Sequence, residues 1–160
     1  MRIIFLNDTL TAVLCFLLWP LFQVGISIAC LKIKDQKFNY NKFPYKTYKW
    51  EKEGKIYDKI FKVSKWKKFL PDGGAIMKGG YKKKNITDFS RENFQKFVIE
   101  SCRAELSHLL AIIPFWVFGF FAPIEVIYIM LAYALLVNLP CIITQRFNRP
   151  RFIRLINSIR

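Results

Sequence analysis

The residues of this chain best suited to chemistry lie in one stretch, residues 99–116, "IESCRAELSHLLAIIPFW". It holds the only histidine, His108, with Glu105 three residues before it, and Glu100 and Arg103 at the same interval. On a helix, residues three apart share a face, so Glu105 can reach His108 and Glu100 can reach Arg103. A neutral imidazole can take a proton from a hydroxyl, a carboxylate can orient the ring, and an amide can donate to a developing oxyanion. The plainer alternative is that Glu and Arg pair along one helix while His108 caps a water-facing edge.

Whether such groups meet depends on the elements that hold them. The chain is 53% apolar yet carries a net charge of +15, and the two characters fall in separate blocks. That segregation is the pattern of a membrane protein and excludes an ordinary soluble globular domain. Cys15, Cys30, Cys102 and Cys141 have no paired spacing. With a single histidine they give a zinc site or a disulfide framework little to build on. They read as small buried hydrophobes, and no bound metal or cofactor is expected.

Residues 9–31 carry no charge, more than the ~20 residues a spanning helix needs. A cleaved signal peptide is the rival reading, with "SIAC" ending at Cys30 as its processing box. Ser27 stands where such a box has an aliphatic residue, and the run is longer than an h-region, so a retained anchor is favoured. The second apolar block, residues 106–145, is too long for one crossing. Pro123, in "FFAPIE", cannot continue the preceding helix and marks the turn. Residues 106–121 and 124–144 then form an antiparallel hairpin, the first limb spanning only about 24 Å.

The expected fold is therefore an all-α integral membrane protein with three transmembrane helices. A basic segment, residues 32–104, separates the anchor from the hairpin, and a basic tail, residues 145–160, follows it. From Lys32 to Arg103 there are 20 Lys or Arg against 8 Asp or Glu, and five Arg follow Thr144. Both basic regions flank one membrane face, which the positive-inside rule makes cytoplasmic. A multi-pass protein of the cell membrane follows, with the N-terminus and the turn near Pro123 outside.

Within the middle segment, Ile56, Tyr57, Ile60, Phe61 and Ser64 recur at helical spacing between lysines. This predicts a basic amphipathic helix lying apolar face down among lipid headgroups. Interleaved bases and aromatics can also stack on single-stranded nucleic acid. The flanking membrane segments favour lipid, and no nucleic-acid partner is expected. "PDGGAIMKGGYKKK" has Walker-like glycine spacing but lacks the required Lys and Ser or Thr, so it reads as a mobile loop whose lysines could meet phosphates.

Counted from the turn, His108 lies about fifteen residues back and Asn138 about fifteen forward, at one depth. Glu105 joins them. By the same count Glu100 and Arg103 fall beside Gln145 and Arg146 at the lipid–water boundary, with Asn148 and Arg149 close by. Ionisable groups at such depths are costly and mark functional sites. Arginines there can hold the phosphates of an activated donor. Glu125 reads as a headgroup-level charge at the start of the third crossing.

Three blocks, "WEKEGKIYDKIFKVSKWKKFLPDGG", "IESCRAELSHLL" and "NLPCIITQRFNRPR", carry a resemblance. Their specific points are Trp66, Lys67, Asp72 and Gly73, then Arg103, Ala104, Glu105 and His108. Asn138, Pro140, Gln145, Arg146 and residues 148–151 complete them. In order and type they resemble the glycosyl-diaponeurosporenoate acyltransferases, small bacterial membrane enzymes of staphyloxanthin carotenoid biosynthesis. The resemblance covers roughly two-thirds of the chain. It implies esterification of a sugar hydroxyl on a glycosylated carotenoid or related glycolipid by a long-chain acyl group. Acyl-CoA or another activated acyl donor would be the co-substrate. On this reading His108 is the general base, Glu105 its orienter and Asn138 an oxyanion donor. Glu100, Arg103, Gln145, Arg146, Asn148 and Arg149 bind substrate, as do Trp66, Lys67 and Asp72. A non-catalytic adaptor holding anionic lipid or a partner enzyme, or an acyltransferase for another lipid, are the alternatives.

Overall fold

In the computed structural model, residues 2–71, 80–81 and 88–159 are described. Their helices are α1 (Asp8–Leu31), α2 (Lys55–Phe61), α3 (Val63–Trp66), α4 (Arg91–Ile112) and α5 (Ile124–Ser158). No strand occurs among the described residues. Asn7 starts α1 by accepting a hydrogen bond from the Leu10 amide at 2.8 Å, and the Ser90 hydroxyl does the same for α4 from Asn93. Such caps satisfy amides that have no partner inside the helix.

The helix α4 runs straight into a 3-10 stretch, Ile113–Phe120, and the chain then turns at Phe121 and Ala122. Pro123 caps α5 in an extended conformation, as the sequence led one to expect of that proline. Contacts pair falling positions on α4 with rising ones on α5: His108 with Asn138, Glu105 with Arg146, Ser101 with Arg149. The two helices are thus antiparallel. Against them lies α1, joined to α4 by Ser27–Ser107 at 3.1 Å and by Gln23 donating to the Ala111 carbonyl at 3.0 Å. Ahead of α1, the amides of Ile3 and Ile4 donate to the Phe120 carbonyl, which puts residues 2–7 at the hairpin turn.

Near that turn the three helices share an apolar core of Cys15, Trp19, Phe118, Phe121, Ala122, Met130 and Ala134. Outward, Phe16, Leu21, Tyr128, Ile129 and Leu136 are well exposed. Large exposed apolar faces of this size are compatible with a membrane setting. Three helices, Asp8–Leu31, Arg91–Phe120 and Ile124–Ser158, are long and apolar enough to cross a membrane.

One feature extends the sequence expectation and a second differs from it. Helices α4 and α5 do not stop at the apolar limits near Leu106 and Thr144 but continue to Arg91 and Ser158. Helix geometry is local, and nothing in a polar residue ends it; the extension lets Phe97 stack on Phe152 at 3.7 Å and buries Phe94, Val98 and Ile156. The difference is in the basic segment. One amphipathic helix over 56–64 is broken, because Lys62 adopts a left-handed conformation (φ 52°) between α2 and α3. Tyr57 and Val63 are buried against Phe147 of α5, whereas Ile60 and Phe61 face outward. The apolar side chains of this stretch therefore serve two surfaces.

The turn before α2 reaches α5 directly. Gly54 has φ +83°, and a Cβ there would lie 2.9 Å from the Phe147 carbonyl oxygen and 3.1 Å from that of Arg146. Both are backbone atoms and cannot swing aside. Gly54→Ala is expected to cost about 1–3 kcal/mol, read by thermal unfolding in detergent. An unchanged midpoint would mean that the segment does not rest on α5.

Candidate active site

The continued ends of α4 and α5 form a polar layer beyond the apolar core, and the segment before α2 covers it. Glu105 is only 1% exposed and lies between two arginines. Its Oε1 accepts from Arg146 Nε at 2.8 Å, and its Oε2 accepts from Arg149 Nη2 at 2.5 Å. Arg149, also 1% exposed, donates to the Ser101 hydroxyl at 2.7 Å and to the Tyr45 carbonyl at 2.9 Å. Arg146 donates onward to Glu51 at 2.7 Å and to the Pro44 carbonyl. Glu51 also takes the Tyr57 hydroxyl, and its other oxygen takes the Tyr48 amide at 2.6 Å. Burial, then the Glu51 carboxylate, push the Tyr57 phenol well above its usual range, so it stays a donor. Two carboxylates balance two guanidiniums, which makes this buried network neutral within a strongly basic chain.

A second cluster ties α1 to α4. Arg103 donates to the carbonyls of Cys30, in the last turn of α1, and of Ile33 just beyond it, and pairs with Glu100 at 3.2 Å and with Asp35. A cation at a helix C-terminus meets both free carbonyls and the negative end of the dipole. Lys96 completes the group, 2.8 Å from Asp35 and 3.3 Å from Glu100. The hydrogen bond from Lys96 holds the Asp35 carboxyl below its ordinary 3.8, with the charges of Lys96 and Arg103 adding to it. A depressed carboxyl stabilises the fold above its unfolded value and loses that contribution as pH falls through the folded one. Asp35 is half exposed, so Asp35→Asn is expected to cost only about 0.5–1 kcal/mol at neutral pH. Hydrogen exchange at the Lys32 and Ile33 amides should quicken in the variant at pH 7, and the difference from wild type should fade as pH falls through the depressed carboxyl. Equal rates at pH 7 would show that Asp35 does not fasten the end of α1.

His108 stands one turn nearer the apolar core than Glu105. Its Nδ1 lies 2.9 Å from Asn138 Oδ1, and Asn138 Nδ2 donates to the Ala134 carbonyl at 2.9 Å. That second bond fixes the amide with its oxygen towards the ring. An amide oxygen only accepts, so Nδ1 carries the proton and the basic lone pair sits on Nε2. Asn138 is fully buried and His108 half-buried. The pair therefore sets a defined tautomer of the only imidazole at the inner edge of the polar layer.

Residues 41–158 match the family model described as "Glycosyl-4,4'-diaponeurosporenoate acyltransferase". The chain belongs to the glycosyl-4,4'-diaponeurosporenoate acyltransferase family. Proteins of that name from Staphylococcus aureus strains bovine RF122 / ET3-1, MRSA252 and USA300 are each 34% identical over 150 residues. These alignments cover 94% of this chain and 90% of each relative. No solved structure matches the chain. Within this acyltransferase family match lie both arginines of the buried network, its two carboxylates, His108 and Asn138.

Several sequence-derived roles are redistributed by the geometry. Asn138, expected as an oxyanion donor, instead makes the orienting contact to His108 that Glu105 was expected to make. Both Glu105 oxygens are taken by arginine. Arg103, Arg146 and Arg149, expected to bind phosphates, have every guanidinium nitrogen on a protein acceptor. Arg146 meets Glu105 rather than Glu100. Side chains on a helix lean towards its N-terminus, so the long Arg146 side chain reaches back towards the turn while Glu105 leans away from it, and the two meet.

Trp66 donates to the Phe61 carbonyl and packs near Phe147, and Lys67 donates to Asn148 Oδ1 at 2.9 Å. Gln145 Oε1 and Thr144 Oγ1 are buried with no hydrogen-bond partner among the described residues. Asp72 and most of the glycine-rich loop, residues 72–79 and 82–87, lie outside the described residues. Glu51, Ser101 and Asp35 were not singled out beforehand, and Tyr57 was read only as part of an amphipathic face. Glu51 and Asp35 stand among lysines in the sequence, a setting that gives no sign of their buried partners.

Proposed function

We propose that this protein is a membrane O-acyltransferase that esterifies a sugar hydroxyl of a glycosylated carotenoid, glycosyl-4,4'-diaponeurosporenoate, with a long-chain acyl group. Family membership supports the acyl transfer and the acceptor. The observation that carries the mechanism is the His108–Asn138 pair, a tautomer-locked imidazole at the edge of an apolar, three-helix core. His108 Nε2 takes the proton of the attacking sugar hydroxyl. The oxygen bonds to the acyl carbonyl carbon, and a tetrahedral oxyanion forms. Its collapse breaks the bond to the donor's leaving group, which takes the proton back from His108. Asn138 is a positioning residue, holding the ring for the whole cycle. The Glu51–Arg146–Glu105–Arg149 network fixes α4 against α5, so that His108 keeps its level.

Position in the membrane follows from charge. The polar layer, the basic segment and the arginine-rich end of α5 lie together, away from residues 2–7 and the hairpin turn. Placing that basic end on the cytoplasmic side of the cell membrane agrees with the positive-inside rule. There an activated donor such as acyl-CoA meets an acceptor held in the bilayer. Expression in cells that make glycosyl-4,4'-diaponeurosporenoate, followed by lipid mass spectrometry, tests this. An acyl ester absent from cells lacking the chain is expected; unchanged lipids would reject the assignment.

A further inference from the structure

Once Arg103, Arg146 and Arg149 are saturated by protein acceptors, the charge that could meet a ligand must lie elsewhere. It is concentrated where α5 leaves the polar layer. A groove of about 490 Å³ is lined there by Lys55, Arg151, Arg154, Leu155 and Ser158. Lys55 and Arg151 are exposed, and neither has an ion-pair partner among the described residues. Arg154 pairs with Glu53, itself exposed. Behind the groove, two cations share one aromatic ring: Arg151 Cζ lies 3.8 Å and Lys67 Nζ 4.9 Å from the centre of Phe147. Burial lowers the basicity of Lys67 and repulsion from Arg151 lowers it further, with the nearby Asp58 carboxylate offsetting only part of this. Like charges gathered on one side of a protein repel one another, and an anion between them relieves this.

We propose that Lys55, Arg151 and Arg154, backed by Lys67, form an anion subsite that takes a phosphate group. A guanidinium fork matches phosphate in bidentate fashion, and lysine adds a compact point charge. Leu155, half exposed on the groove wall, offers an apolar surface beside the anion. That pairing suits an amphiphile whose phosphate lies at the membrane edge and whose chain runs inward. Two sources share this chemistry: the phosphates of a soluble acyl donor, and the headgroup of an anionic phospholipid. Only the first rests on the acyl-transfer reading above.

Equilibrium dialysis of labelled pyrophosphate against the full chain in uncharged detergent tests the subsite without any activity. Saturable binding is expected in wild type, weakened at least tenfold in Lys55→Ala/Arg151→Ala. The charge-matched control Lys34→Ala/Lys37→Ala, on exposed residues of another segment, should bind as wild type does. Displacement by dodecanoyl-CoA but not by phosphatidylglycerol nanodiscs assigns the subsite to the donor, and the reverse assigns it to the headgroup. No saturable binding in wild type, or equal weakening in the control, overturns the proposal. Ester formation by wild type is scored separately, so a failed subsite alongside intact esterification rejects this inference alone.

Discussion

Glu105→Ala is expected to destabilise the protein by about 3–5 kcal/mol. The carboxylate is almost wholly buried, and each of its oxygens neutralises a different arginine of α5. Removing it leaves Arg149 buried with no charge partner, because the other acceptors of Arg149 are the neutral Ser101 and the Tyr45 carbonyl. Arg146 retains Glu51 and suffers less. Breaking a buried pair on one side is costly for this reason, whereas replacing both partners by apolar groups can be mild. Glu105→Leu with Arg149→Met should therefore recover part of the loss. Unfolding in detergent, followed by tryptophan fluorescence, measures both. A loss below 1 kcal/mol in the single variant would mean that the carboxylate does not lie between the two arginines.

The second large effect concerns rate. His108→Ala is expected to lower ester formation by about 10²–10⁴-fold, the range that a positioned general base supplies. It should also cost about 1–3 kcal/mol of stability, since the buried Asn138 Oδ1 loses its partner, so turnover is compared at equal folded fraction. Asn138 separates position from bulk. Asn138→Leu removes the acceptor that sets the ring tautomer, so turnover should drop while acceptor affinity holds. Asn138→Asp restores an acceptor at the same place and should return part of the turnover. Equal damage from Leu and Asp would make Asn138 a packing residue only.

How far the sequence could be read depended on the range of the interactions. Uncharged runs and a single proline were enough to locate three membrane-length helices and the turn, because crossing a bilayer is a local demand on composition. Counting from Pro123 brought His108 to Asn138 for the same reason: both are positions on regular helices. The count misplaced Arg146 because it compares backbone levels, whereas a long side chain that leans towards its helix N-terminus reaches Glu105 instead. Glu51 was hidden by its setting among lysines, and its burial depends on Arg146, 95 residues away. The broken amphipathic helix has a similar origin. Lys62 is left-handed because Tyr57 and Val63 must both reach Phe147, a contact made between distant segments. Arg103 was seen as a ligand-binding group when its partners are Glu100, Asp35 and the carbonyls of Cys30 and Ile33 where α1 ends. An arginine at a membrane boundary suits either task, and only the packing of α1 on α4 decides between them.

The most direct measurement is ester formation by the purified chain. Wild type and His108→Ala, matched for folded fraction, are given glycosyl-4,4'-diaponeurosporenoate and a long-chain acyl-CoA, and the products are followed by mass spectrometry. A product heavier than the acceptor by one acyl group should accumulate with wild type and fall at least a hundredfold with the variant. An equal yield of that product from both proteins would contradict the assignment of His108 as the base.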